Sequence, residues 1–143
     1  MTESNSTKPV NILLVEDDEV DIVTIRRAFE RKRISNRVYI ANDGIDALAL
    51  LRSGQIDSPV FILLDINMPR MNGIEFLREL RADPKHKSHT VFILTTSSDQ
   101  RDISEAYEMN VAGYMLKTDV GDSFIEAIGL IEHYWRLVEL PVH

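Results

Sequence analysis

The sequence predicts an α/β fold, a doubly wound five-stranded parallel sheet with five helices, from three observations. Five short apolar runs of four to six residues recur along the chain, and each is followed by a segment whose apolar residues return at helical spacing. The connections are short and rich in turn formers. Parallel neighbours need a crossover, so strands and helices alternating at this size imply a parallel sheet covered on both faces.

Residues 1–9 are too polar to pack and are expected to form a disordered leader, with 10–143 as a single domain. The first strand is Val10 to Val15, ending abruptly in Glu16, Asp17 and Asp18. Ile22, Ile25 and Phe29 then mark a helix from about Val20 to Arg31, with Asp18 suited to cap it. The second strand, Arg37 to Ala41, leads through Asn42-Asp43-Gly44 into a helix carrying Ala47, Leu48 and Leu51 that stops near Gly54. Val60 to Leu64 is the third strand, followed by a loop from Asp65 and a helix from Gly73 to about Ala82. Asp83-Pro84 ends that helix, because the residue before proline is pushed out of the α region. Thr90 to Leu94 is the fourth strand, Asp102 to Met109 the fourth helix, and Gly113 to Leu116 the fifth strand. An extended last helix starts near Gly121 or Asp122 and runs to Val138, before a short tail.

Composition narrows the function classes. With 16 Lys+Arg against 23 Asp+Glu, the net charge of −7 repels a phosphate backbone, so nucleic acid is not an expected partner. The basic cluster from Arg26 to Arg33 is read as a solvated helix face, and the four histidines as surface residues. No apolar stretch approaches the roughly 18 residues of a membrane span, and the polar start is no secretory signal. A cytoplasmic protein is expected. Without cysteine, any metal must be held by oxygen or histidine.

In a doubly wound sheet the ligand site lies beyond the carboxyl ends of the strands, where strand order reverses. The residues at those ends are Glu16 and Asp17, then Asp65, Thr95 and Lys117. Two carboxylates about 4 Å apart repel by roughly 4 kcal/mol at an effective dielectric near 20, so this edge calls for a cation. Mg²⁺ suits it, since that ion takes one or two protein carboxylates, waters and a phosphate oxygen. A carboxylate beside Mg²⁺, an ammonium and a hydroxyl is equipped to attack a phosphoryl group, with Asp65 as nucleophile.

In their order and spacing, VEDD, LLDINMPRMNG, ILTTS and GYMLK make the sequence resemble a response-regulator receiver domain of two-component signalling, over nearly the whole chain. The resemblance implies a flavodoxin-like sheet of order 2-1-3-4-5, an order known from a chemotaxis receiver. It implies that Asp65 accepts a phosphoryl group from a sensor histidine kinase. Asp17 would ligate Mg²⁺ directly, Glu16 through water, and Asn67 through its backbone carbonyl, with Asp65 completing the set. Thr95 and Lys117 would each bond a phosphoryl oxygen. Tyr114, two residues after Ala112, occupies the switch aromatic position and would turn inward when Thr95 moves; an ordinary half-buried strand aromatic is the alternative. The family usually has proline after the lysine, where this chain has Thr118. A cis bond without proline costs about 2.5 to 4 kcal/mol, so a trans Lys117–Thr118 peptide is expected. Glu16 stands where aspartate is commoner.

A haloacid-dehalogenase-like phosphatase would also begin from an aspartate at a strand end, but needs a second aspartate two residues on. That position is Asn67, whose amide cannot exchange a proton usefully. The chain is therefore expected to hold a phosphate, with at most slow autodephosphorylation tuned by Asn67 and Ser97, rather than to act as an enzyme. Output is implied to pass through the fourth helix, fifth strand and fifth helix, and no further output domain is expected after Val138. The last helix carries two apolar stripes, one through Ile125, Ile128 and Trp135 and another through Phe124, Leu130 and Tyr134, where covering a sheet needs one. A homodimer or kinase-binding face is the favoured reading. The ending HYWRLVELP resembles stand-alone receivers that partner bacterial phytochromes. The alternative function is a receiver-fold binding module that acts without phosphorylation.

Overall fold

In the computed structural model, five strands, β1 (Asn11–Val15), β2 (Val38–Ala41), β3 (Val60–Leu64), β4 (Thr90–Thr95) and β5 (Gly113–Leu116), pair in parallel in the order β2-β1-β3-β4-β5. The structure describes residues 10–31, 33 and 36–117. Four helices lie among them: α1 (Glu19–Arg31), α2 (Gly44–Arg52), α3 (Gly73–Ala82) and α4 (Gln100–Glu108). The expected leader, the fifth helix with its two stripes, and the Lys117–Thr118 peptide lie outside the described residues.

Strand order reverses between β1 and β3, because the chain leaves β1 toward β2 and returns on the other side. Val15 sits level with Leu64 in that pairing, so Glu16 and Asp65 emerge side by side. The Asp65 amide donates to the Val15 carbonyl at 3.0 Å, carrying the pairing one residue past the strands. On the outer edge, Thr95 is level with Leu116, which brings Lys117 to the same rim.

Alternation along the strands splits the core into two layers. Leu13, Val15, Ile62, Leu64, Val91 and Ile93 face the side covered by α2, α3 and α4, and pack on Leu48, Phe76, Leu77 and Leu80. Ile12, Leu14, Phe61, Leu63 and Leu94 face the other side, where Ile25, Ala28 and Phe29 of α1 meet them. β3 is buried at every position, as a central parallel strand must be. Each such side chain contributes roughly 1.5 to 3 kcal/mol by leaving water.

Helix starts follow local chemistry. Asp18 accepts from the amides of Val20 and Asp21 at 2.8 and 3.2 Å, in the capping role anticipated for it. Asn72 and Glu75 form a reciprocal capping box at α3. α4 begins two residues earlier than expected, since Asp99 caps it through the Arg101 amide. The loop before it offers Ser97, Ser98 and Asp99, three capping types in a row, which blurs the boundary in sequence.

One expectation fails outright. His89 is not at the surface but 4% exposed, with its ring nitrogen Nε2 3.0 Å from Nδ1 of His86. The cause is Arg81, whose guanidinium donates to the carbonyls of Lys87, His89, Met109 and Asn110 and draws the loop inward. The basic face of α1 is as expected: Arg26, Arg27, Arg31 and Arg33 are exposed.

Candidate functional site

The residues that the sequence places at strand ends converge at the carboxyl edge of the sheet. Glu16 and Asp65 are 1% and 4% exposed and Thr95 is fully buried, while Asp17 faces solvent. Ligand oxygens of Glu16, Asp17 and Asp65 lie within 4.8 Å of one another. Three carboxylates with hard oxygen donors, two of them buried, fit a divalent cation such as Mg²⁺.

Lys117 enters this cluster from the end of β5. Its Nζ lies 2.6 Å from Glu16 Oε1, 2.7 Å from Asp21 Oδ2 and 3.4 Å from Asp65 Oδ2. Burial alone would lower the Lys117 pKa, but hydrogen bonds to Asp21 and Glu16 overcome it and hold the ammonium above the ordinary lysine range. Burial pushes the Glu16 carboxyl the opposite way, up to about 7, with the Asp65 charge adding to the rise and Lys117 pulling against it. A cation ligated here competes with that proton. The affinity for a divalent cation is therefore expected to fall as the pH drops through 7, and calorimetry near neutrality should show proton release on its uptake. An affinity flat from pH 6 to 8 would show that the Glu16 proton does not compete with the cation.

Asp65 is framed by its own loop. The Asn67 amide donates to Asp65 Oδ1 at 3.3 Å, and the Asn67 side chain donates to Thr96 Oγ1 at 2.9 Å, tying the loop after β3 to the one after β4. Arg70, in a left-handed conformation at φ 61°, reaches Asp43 at 2.6 Å and Asp46 at 2.9 Å and anchors the loop to the start of α2. Gly73 closes it, donating its amide to the Ile66 carbonyl at 2.9 Å. The sequence suggests backbone freedom as the reason for this glycine. The structure gives a different one, since its φ is not positive and a Cβ there would collide with the Asp65 carbonyl.

A second chain of contacts leads away from the site. Thr95 Oγ1 accepts from the amides of Ile66 and Ser97 at 3.4 and 3.3 Å. Ser97 donates its hydroxyl to Asp102 at 2.6 Å, and its carbonyl accepts from the Tyr114 hydroxyl at 2.8 Å. Tyr114 is half-buried on β5, and burial raises its phenol pKa. The two bonds at Thr95 are long and weak, so this hydroxyl is held lightly.

All seven candidate residues, Glu16, Asp17, Asp65, Asn67, Thr95, Tyr114 and Lys117, thus lie at or next to one rim. Sequence reasoning missed Asp21 and Thr96. Asp21 carried a signal, as an acid in the first turn of the helix that follows the Glu16-Asp17 strand end; Thr96 carried none beyond its place beside Thr95.

Comparison with known proteins bears on the same residues. The family model for the response regulator receiver domain matches residues 12–128. The response regulator Rcp1 of Synechocystis sp. is 33% identical over 141 residues, covering 95% of this chain and 96% of its own. The structure of the phosphorylated cyanobacterial phytochrome response regulator RcpA is similar with a TM-score of 0.82 at 32% identity, over 94% of this chain and 99% of that one. The Mn²⁺-bound form of Rcp1 is similar with a TM-score of 0.79 at 34% identity, over 94% of this chain and the whole of the other. With the order β2-β1-β3-β4-β5 and this extent of match, the chain belongs to the response regulator receiver domain family and is a phosphorylation-dependent signalling switch.

Proposed function

We propose that Asp65 is the phosphoacceptor, receiving a phosphoryl group from a phosphohistidine of a sensor kinase. The observation that carries this reading is the buried Asp65 carboxylate at the switch point of the sheet, facing Lys117 at 3.4 Å and lying within ligand distance of Glu16 and Asp17. A carboxylate oxygen of Asp65 forms the new O–P bond as the donor's N–P bond breaks, and the electron pair of that bond returns to the imidazole. Glu16, Asp17, Asp65 and the Asn67 carbonyl are the residues we assign to Mg²⁺, which when bound neutralises charge on the transferring oxygens. Lys117 and the Thr95 hydroxyl hold the remaining phosphoryl oxygens, as charge-assisted partners placed in advance of the reaction.

A phosphoryl group adds roughly −1.5 to −2 of charge, enough to draw the Thr95 hydroxyl from its two long bonds. Ser97 moves with it, and the Tyr114 hydroxyl loses or shifts its carbonyl partner. The signal then reaches the face formed by α4 and β5, where Tyr107 is exposed and available to a partner. Asn67 in place of a general acid supports a phosphate that is held, with slow autodephosphorylation, rather than substrate turnover. A bacterial phytochrome is the kinase we favour, because the phytochrome response regulator RcpA matches over nearly its full length. Cytoplasmic location and dimerisation through the last helix belong to the same reading.

Incubation with Mg²⁺ and acetyl phosphate, followed by intact mass, tests it. Wild type should gain one phosphoryl group and Asp65→Asn none. Unlabelled wild type would favour the binding module that acts without phosphorylation, and equal labelling of the variant would move the phosphoacceptor away from Asp65.

A further inference from the structure

We propose that Asp21 is a positioning residue that holds Lys117 in the unphosphorylated state and surrenders it to the phosphoryl group. The proposal rests on the reading of Asp65 as phosphoacceptor. Three carboxylates surround one ammonium, and the acceptor is the most distant of them at 3.4 Å. The short contacts go to Glu16 at 2.6 Å and Asp21 at 2.7 Å.

These two partners are not equally easy to leave. The Glu16 side chain is 2% exposed, and parting it from Lys117 strands a buried charge, which is costly. The Asp21 side chain is 33% exposed, so water takes over its oxygens when the ammonium departs, and such a pair is worth little. A phosphoryl oxygen arriving at Asp65 therefore displaces Asp21 rather than Glu16. Lys117 keeps its buried anchor and exchanges its hydrated one.

The exchange has a local consequence. Asp21 lies in the first turn of α1, beside the exposed Val20. Phosphorylation releases its carboxylate from the site and leaves an added free negative charge at the start of that helix, on the sheet face opposite α3 and α4. The state of Asp65 is thus written on α1 as well as on the face of Tyr114.

Beryllofluoride binding at saturating Mg²⁺, followed by fluorine NMR, tests the exchange in the intact chain. Asp21→Asn should bind the analogue about three- to fivefold tighter, because Lys117 no longer has to leave a carboxylate. Asp21→Glu, which restores the charge and a longer reach, should fall back toward wild type. Glu19→Gln serves as the control, since it removes the same charge from the same helical turn without contacting Lys117. It should leave the affinity unchanged. Equal tightening in Glu19→Gln and Asp21→Asn would replace the exchange by a general field effect, and no tightening in Asp21→Asn would overturn it. Failure of wild type to bind beryllofluoride would instead strike the phosphoacceptor reading itself.

Discussion

Gly73→Ala is expected to lower stability by about 1 to 3 kcal/mol and to slow phosphorylation of Asp65 markedly. An added Cβ would meet the Asp65 carbonyl oxygen and, at 2.8 Å, the Ile66 Cα. Both are backbone atoms of the acceptor segment, so no side chain can swing aside to make room. Relief requires α3 to move away or the end of β3 to shift, and either breaks the 2.9 Å bond from the Gly73 amide to Ile66. Gly44 offers the contrast. A Cβ there would first meet side-chain atoms, Met71 Cγ at 2.7 Å and Phe76 Cβ at 2.9 Å, so part of the clash can be relaxed by turning the Met71 side chain. Denaturant melts and acetyl phosphate labelling of Gly73→Ala should therefore change together. Wild-type values for both would show that the close approach of α3 to the acceptor is unimportant.

Lys117→Met should destabilise the protein by about 3 to 5 kcal/mol in the absence of divalent cations, because it strands two buried carboxylates, Glu16 and Asp65. Proton uptake by Glu16 limits the damage at low pH. Its folded-state pKa, already about 7, lies above its unfolded value of 4.5. The stability from that proton is fully present below pH 4.5 and is lost as the pH rises through the folded value. Without Lys117 the carboxyl is raised further, so the variant should lose more stability than wild type between pH 6 and 8. Mg²⁺ should restore more stability to Lys117→Met than to wild type, since the cation replaces the missing charge. Thermal melts in chelator and in Mg²⁺ check this. Equal Mg²⁺ increments in the two proteins would mean that Lys117 does not balance these acids.

The strands were legible because their apolar runs end sharply against charge. Val15 to Glu16 and Leu64 to Asp65 are such steps, and parallel register turns them into neighbours. The rim itself is therefore legible in the sequence, including Thr95 and Lys117 on the far strands. What sequence could not supply was partner choice. Lys117 could have faced Asp65 alone, and its engagement with Asp21 depends on how the first turn of α1 lies over the end of β1. Asn67 was singled out for its amide, but its bond to Thr96 depends on two loops meeting across the rim. His89 misled for the opposite reason. Its polar neighbours suggest a solvated loop, whereas Arg81 gathers that loop's carbonyls and buries the ring. Gly73 is needed for space beside the Asp65 carbonyl, a demand set by how close α3 lies to the acceptor and so invisible in the sequence.

Mapping the modified residue shows whether Asp65 takes the phosphoryl group. After reaction with Mg²⁺ and acetyl phosphate, borohydride reduction converts an aspartyl phosphate to homoserine, which peptide sequencing by mass spectrometry locates. Homoserine is expected at position 65, with no reduced residue at the other acids of the rim, neither homoserine at Asp17 or Asp21 nor hydroxynorvaline at Glu16. Reduction at any of those residues, or at none, would contradict it.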